Sequence, residues 1–96
     1  MKPHRMPLTP FAGVGQEMLA LVTEWRNGDR LEASFRAGLL GAYAHAEGWF
    51  ALAGKAHTLA AELRAPVPQL TEETRMEAVI ALAAEHMGIL APRVAP

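Results

Sequence analysis

The side chains best suited to metal binding or acid–base chemistry are a few histidines and carboxylates from the middle of the chain onward. They are His45, Glu47, His57 and His86. Two residues apart on a helix, His45 and Glu47 would point in nearly opposite directions and could not share a metal ion. His45 and His57 would lie about 18 Å apart along a continuous helix. The sequence also has neither the HExxH nor the paired ExxH pattern of helical metal sites, so we expect no metal and no cofactor.

A second group with chemical potential is the acidic run Glu72, Glu73 and Glu77. An all-helical, Mg²⁺-dependent hydrolase would need further carboxylates on a facing helix. The long segment 29–65 offers only widely spaced glutamates. The run is better explained as the negatively charged first turn of a helix, where the helix dipole favours carboxylates. We therefore predict no catalytic residues and favour a protein that is not an enzyme.

The strongest structural signal is the segment 29–65, which contains no proline and reads as helix. Asp29 and Glu32 have the spacing of a capping box, and Pro66 closes the segment. Small and apolar residues recur at helical spacing on one face, which we predict to be buried. They are Leu31, Phe35, Gly38, Ala42, Ala46, Trp49, Leu52, Ala53, Ala56, Leu59, Ala60 and Leu63.

The length of this segment conflicts with the size of the chain. One continuous helix would be about 55 Å long, whereas a compact monomer of 96 residues would be roughly 35 Å across. Either the helix breaks near Gly48 or Gly54, or it protrudes and a second subunit covers it. The sequence leaves both versions open.

Shorter helices are predicted on both sides of this segment. Thr9 and Pro10 begin one near residues 10–27, which Gly28 ends. Thr71 begins another near residues 71–87. Their predicted apolar faces are Phe11, Val14, Met18, Leu21, Val22 and Trp25 in the first, and Met76, Val79, Ile80, Ala83 and Met87 in the last. We also expect both tryptophans, Trp25 and Trp49, to be substantially buried.

The sequence therefore predicts an all-α fold, a small antiparallel bundle of three helices, or four if the central helix breaks, completed by dimerisation. Residues 1–8 are expected to form a flexible arm, residues 9–88 a single helical domain, and residues 89–96 an extended proline-rich tail. Because the core is rich in alanine, it buries little apolar area per residue, and a second subunit would add to it.

Composition narrows the function classes. The formal net charge is -1 with no cluster of basic residues, which argues against nucleic-acid binding. There are no cysteines and no uninterrupted apolar span of membrane length. The N-terminus has no apolar core typical of a secretion signal. We expect a cytoplasmic protein that does not enter a membrane.

The main functional hint is a second apolar patch on the predicted central helix. Leu39, Leu40, Tyr43 and Phe50 fall among its charged residues, away from the predicted buried face. Exposed apolar patches usually mark association surfaces. We predict a twofold homodimer through these four residues, with Gly41 and Gly48 at or near the closest contact. The alternative is that the first or last helix covers the patch within one monomer.

Three functions remain open at this point. The leading hypothesis is a small helical interaction module that acts as a homodimer, such as an accessory subunit or assembly factor. The second is a DNA-associated regulator, because the spacing of Ala84, Gly88, Ile89 and Val94 resembles a truncated helix-turn-helix. The third is an enzyme or ligand carrier. Its interhelical pocket would be lined by Trp25, Trp49, Tyr43 and His45.

Overall fold

A computed structural model describes residues 9–89, and these residues form four α-helices. The helices are α1 (Pro10–Arg26), α2 (Arg30–Ala46), α3 (Phe50–Leu63) and α4 (Glu72–His86). The all-α prediction is confirmed. The predicted arm 1–8 and residues 90–96 of the predicted tail lie outside the described residues.

The predicted central helix is broken at Gly48, one of the two positions named from the sequence. Gly48 has φ 84°, a left-handed conformation that costs glycine little. Its N–H donates to His45 O at 3.0 Å, and the N–H of Trp49 donates to Ala44 O at 2.8 Å. This pair of hydrogen bonds is a Schellman motif, which satisfies carbonyls at the end of α2. Residues 27–29 connect α1 to α2 by the same motif, with Gly28 at φ 79°.

The four helices run alternately up and down. Contacts pair the first part of one helix with the last part of its neighbour: Gly13 of α1 with Tyr43 of α2, Ser34 of α2 with Ala60 of α3, and Arg75 of α4 with Glu62 of α3. The helix α2 packs between α1 and α3, while α4 packs mainly on α3 and touches α1 over a short stretch. Because the break at Gly48 divides the segment 29–65 into two helices, each helix fits within a compact monomer. The conflict between the length of one continuous helix and the size of the chain no longer arises.

The core consists mostly of alanine and leucine from α2 and α3, with larger side chains from α1 and α4. Its buried members include Val14, Met18, Leu21, Ala33, Ala37, Leu40, Ala44, Leu52, Ala56, Leu59, Leu63, Met76, Val79 and Ala83. Trp25 and Trp49 are only partly buried and pack against this core. The predicted buried face is correct for α3 and largely correct for α1 and α4.

For α2 the predicted face is wrong. Ala33, Ala37 and Ala44 point into the core, whereas Leu31 and Phe35 are exposed. The helical wheel favoured the bulkier side chains and assumed one continuous helix. In the folded chain, α2 has neighbours on two sides, and small side chains let its backbone approach both.

Ion pairs at one end of the bundle hold the helices together. The carboxylate of Glu72 pairs with Arg30 and accepts a hydrogen bond from the indole N–H of Trp25 at 3.1 Å. Arg30 also donates to Ala65 O at 3.2 Å, at the end of α3. Thr71 was predicted as a cap for α4, but its hydroxyl instead donates to a carboxylate oxygen of Glu62 at 2.9 Å.

A further buried charge was missed from the sequence. Glu17 does not belong to the predicted apolar face of α1, but it is only 2% exposed. Arg36 of α2 donates to its carboxylate at 3.1 Å, and this hydrogen bond is the main reason why the pKa of Arg36 is raised. No single-helix pattern reveals such a pair, because the partner lies on another helix.

Between residues 9 and 89, none of the helices combines the length and hydrophobicity needed to cross a bilayer.

Candidate functional site

The most unusual surface of the molecule is the outward face of α2. Leu31 is 73% exposed and Phe35 is 57% exposed, although both belong to the face of this segment that the sequence pattern predicts to be buried. The same face continues through small residues to the end of the helix. We call the set Leu31, Phe35, Gly38, Leu39, Ala42 and Ala46 the α2 stripe. It contains no charged residue and extends over about 22 Å at 1.5 Å per residue.

A shallow groove accompanies the first half of the α2 stripe. It has a volume of about 370 Å³ and is lined by Leu31, Ser34, Phe35, Gly38, Leu39 and Arg64. Its polar side chains already have partners. The Ser34 hydroxyl donates to Ala60 O at 2.7 Å and accepts from Nε of Arg64 at 3.2 Å. The groove therefore offers apolar contact rather than groups free to act on a substrate.

The glycine within this stripe has no role in the monomer. A Cβ added to Gly38 would meet nothing within 4 Å. By contrast, a Cβ at Gly13 would lie 2.4 Å from the ring of Tyr43, and one at Gly41 would lie 2.7 Å from the ring of His57. Glycine inside a helix costs about 1 kcal/mol relative to alanine. At Gly13 and Gly41 close packing offsets that cost, but at Gly38 nothing within the monomer does.

The four predicted interface residues do not form one surface. Leu40 is fully buried, so its placement at an outer interface is corrected: it belongs to the core. Tyr43 is half-buried and lies over Gly13 of α1. Phe50 is exposed but begins α3, where its ring packs edge-on to His45 at 5.1 Å. Of the four, Leu39 alone lies on the α2 stripe.

The two glycines expected at the closest contact are also accounted for within the monomer. Gly41 is buried beneath the ring of His57, and Gly48 forms the turn between α2 and α3. The physical reason is the break at Gly48, because it lets α3 fold back on α2 and place His57 over Gly41.

The residues proposed to line an interhelical pocket are likewise separated. Trp25 lies at the end of the bundle that contains Glu72. Trp49 lies at the opposite end, stacked on His86 at 4.9 Å and edge-on to Phe11 at 5.9 Å. One pocket cannot therefore contain both tryptophans.

The histidines do not come together either. Within residues 9–89, no three metal-ligating side chains lie close enough to hold an ion. His45, His57 and His86 each pack against a different neighbour, respectively Phe50, Gly41 and Trp49.

The helix-turn-helix interpretation depends on residues beyond the described part of the chain. The α4 helix ends at His86, and Gly88 with φ 76° closes it. The recognition helix would begin near Pro92, and Val94 would belong to it. Both residues lie outside the described part.

A second concave surface lies between α1 and α4, where these helices barely touch. It has a volume of about 450 Å³ and is lined by Val22, Trp25, Arg26, Glu73, Met76, Glu77, Ile80 and Ala81. The indole N–H of Trp25 is already bonded to Glu72. The remaining lining residues are mostly apolar, with Arg26, Glu73 and Glu77 as the charged members.

Comparison with protein-family models, with curated proteins and with solved structures finds no match to this chain.

Proposed function

We propose that this protein is a small helical interaction module that self-associates through the α2 stripe. One observation carries the proposal: the apolar face that the sequence pattern marks for burial on α2 is left uncovered by the monomer, with Leu31 and Phe35 exposed. Contiguous apolar surface of this kind usually marks a site of protein association. Covering it would remove apolar area from water at about 25 cal/mol per Å².

Two other features favour binding over catalysis. Neither groove contains convergent acid, base or nucleophile groups, because their polar side chains are engaged or lie at the rim. The alanine-rich core also leaves a small domain with limited burial of its own. A second subunit would supply additional burial without any change in the bundle.

The size of the stripe sets the expected affinity. Stable interfaces bury about 800 Å² per partner, and one helical face of about 22 Å provides less. We therefore expect a dimer with a dissociation constant in the micromolar range, which corresponds to a free energy of binding near -8 kcal/mol. Such a dimer would leave the groove between α1 and α4 accessible, as an accessory subunit or assembly factor requires.

The test is sedimentation of the wild type and of Phe35→Glu from about 0.1 to 100 μM, a range that brackets the expected affinity. Phe35 is exposed in the monomer, so the variant should keep its helical circular dichroism. It should sediment as a monomer, because two buried carboxylates would lack partners. Leu19→Glu is the matched control: Leu19 is 67% exposed but lies on α1, away from the α2 stripe. It should dimerise like the wild type. A wild type that remains monomeric throughout would refute the proposal.

A ligand carrier is the second candidate function, supported by the apolar groove between α1 and α4. Native mass spectrometry of the purified protein distinguishes the two functions, since it reports both oligomer mass and any retained small molecule. A monomer with a bound compound that is lost in Ala81→Glu, a change at an exposed residue that lines the groove, would favour the carrier over the interaction module.

A further inference from the structure

The α2 stripe is uneven along its length. Its first half carries the bulky side chains Leu31 and Phe35, whereas its second half carries Ala42 and Ala46. Gly38 and Leu39 lie between the halves. This asymmetry restricts how two copies of the stripe can pack, because close-packed interfaces match large side chains to small ones.

A parallel arrangement of two α2 helices fits this surface poorly. Parallel pairing about a twofold axis places each residue beside its own copy. Leu31 would then face Leu31, and Phe35 would face Phe35, which would hold the helices apart. The alanines of the second half would face each other across a gap, with loss of contact energy.

An antiparallel arrangement fits much better. With the twofold axis between Gly38 and Leu39, Leu31 and Ala46 are equally distant from the axis, and so are Phe35 and Ala42. Each bulky side chain of one copy therefore meets an alanine of the other. The stripe is complementary to itself in this direction, which identifies a second copy of the chain as its partner.

The flanks of the stripe agree with the same axis. Leu39 is one turn before Tyr43, which contacts α1, and Gly38 is one turn after Ser34, which contacts α3. A twofold axis perpendicular to both helices leaves each flank on its own side. The flank next to α1 therefore meets the α1 flank of the other copy, and the flank next to α3 meets the α3 flank. Gly38 would then meet Gly38, where the two backbones can approach most closely, and Leu39 would meet Leu39.

We propose, on the basis of the proposed function, that two copies pair through α2 in antiparallel orientation. The axis passes beside Gly38, and Leu31 and Phe35 of each copy pack on Ala46 and Ala42 of the other. This arrangement gives Gly38 a packing role that it lacks in the monomer, whereas Gly54 of α3, which also meets open space, lies outside the interface. An amphipathic helix from an unrelated protein would not need the large-to-small symmetry about residue 38.

Disulfide trapping tests the arrangement directly, because the chain contains no cysteine and single cysteines can be introduced without a background. A disulfide requires Cα atoms within about 7 Å. Leu39→Cys should cross-link to its own copy under mild oxidation. Leu31→Cys alone should not, because its copy would lie about 22 Å away along the helix.

A mixed sample completes the test. Leu31→Cys combined with a size-tagged Ala46→Cys should yield the mixed disulfide dimer and little of either self-linked dimer on a non-reducing gel. Leu19→Cys is the matched control, exposed but outside the stripe, and should not cross-link above background.

The outcomes separate failure of the orientation from failure of dimerisation. Efficient self-linking of Leu31→Cys would show a parallel pair and overturn the proposal. Absence of both the Leu39→Cys product and the mixed product, in a wild type that sediments as a dimer, would place the contact elsewhere. A monomeric wild type would overturn the proposed function itself. A helix-forming partner from another protein would give none of the three cross-linked products.

Discussion

The packing of α1 on α2 can be tested by placing one methyl group at each of two glycines. A Cβ at Gly38 meets open space, whereas a Cβ at Gly13 would lie 2.4 Å from Cγ and Cδ1 of Tyr43. Gly38→Ala should therefore raise the free energy of unfolding by about 1 kcal/mol, the difference in helix propensity. Gly54→Ala in α3 is the matched control, because its added methyl also meets open space, and it should stabilise by a similar amount.

Gly13→Ala gains the same propensity but must displace the Tyr43 ring. Gly13 is buried and the ring covers it, so the ring must move by about 1 Å, from 2.4 Å to the 3.4 Å of ordinary van der Waals contact. Overpacking of this kind costs about 1–3 kcal/mol. The net change should be a loss of up to about 2 kcal/mol relative to the wild type, and a deficit of about 1–3 kcal/mol relative to Gly38→Ala.

Urea denaturation followed by tryptophan fluorescence at about 0.1 μM, well below the expected dissociation constant, measures these differences with little contribution from self-association. In a domain of this size, 1 kcal/mol also corresponds to a shift in melting temperature of about 4–8 °C. In a Tyr43→Ala background the penalty at Gly13 should vanish, and the added methyl should become stabilising. If Gly13→Ala and Gly38→Ala stabilise equally, Tyr43 does not lie on Gly13 and the antiparallel pairing of α1 and α2 is misassigned.

Two further predictions concern the ends of the bundle. Glu72→Ala should destabilise the fold by about 2–3 kcal/mol, since it removes charge-assisted hydrogen bonds to Arg30 and Trp25. Glu73→Ala, at an exposed neighbour, should stay within about 0.5 kcal/mol in the same thermal melts. Trp49→Ala should cost about 3 kcal/mol, the lower end for a large aromatic, because its ring is only partly buried against Phe11 and His86. A loss below about 0.5 kcal/mol in chemical denaturation would show that this aromatic cluster does not support the core.

Much of the local structure could be predicted from the sequence, because the signals act over a few residues. Thr9 caps α1 through its hydroxyl, and Asp29 caps α2 through its carboxylate. The glycines after the helices adopt left-handed conformations that other residues avoid. These preferences depend on backbone sterics and nearby hydrogen bonds, so they are independent of the tertiary fold.

The sequence contains only one of the two signals that would predict the break in the central segment. Gly48 provides a stop signal, but the N-cap residue of α3 is Trp49, whose side chain makes no capping hydrogen bond. At the equivalent position before α2, Asp29 supplies that cap. Without a start signal, a glycine in an otherwise helical pattern fits a bend, a close contact or a stop equally well.

Which face of α2 is exposed to solvent could be seen only in the tertiary structure. The helical pattern correctly grouped Leu31 and Phe35 on one apolar face, but it does not encode which neighbours reach that face. In the folded chain α1 and α3 take the opposite side, where Ala33, Ala37 and Ala44 permit close backbone approach. Periodicity therefore determined that the α2 stripe exists, while the packing of the other helices determined that it faces outward.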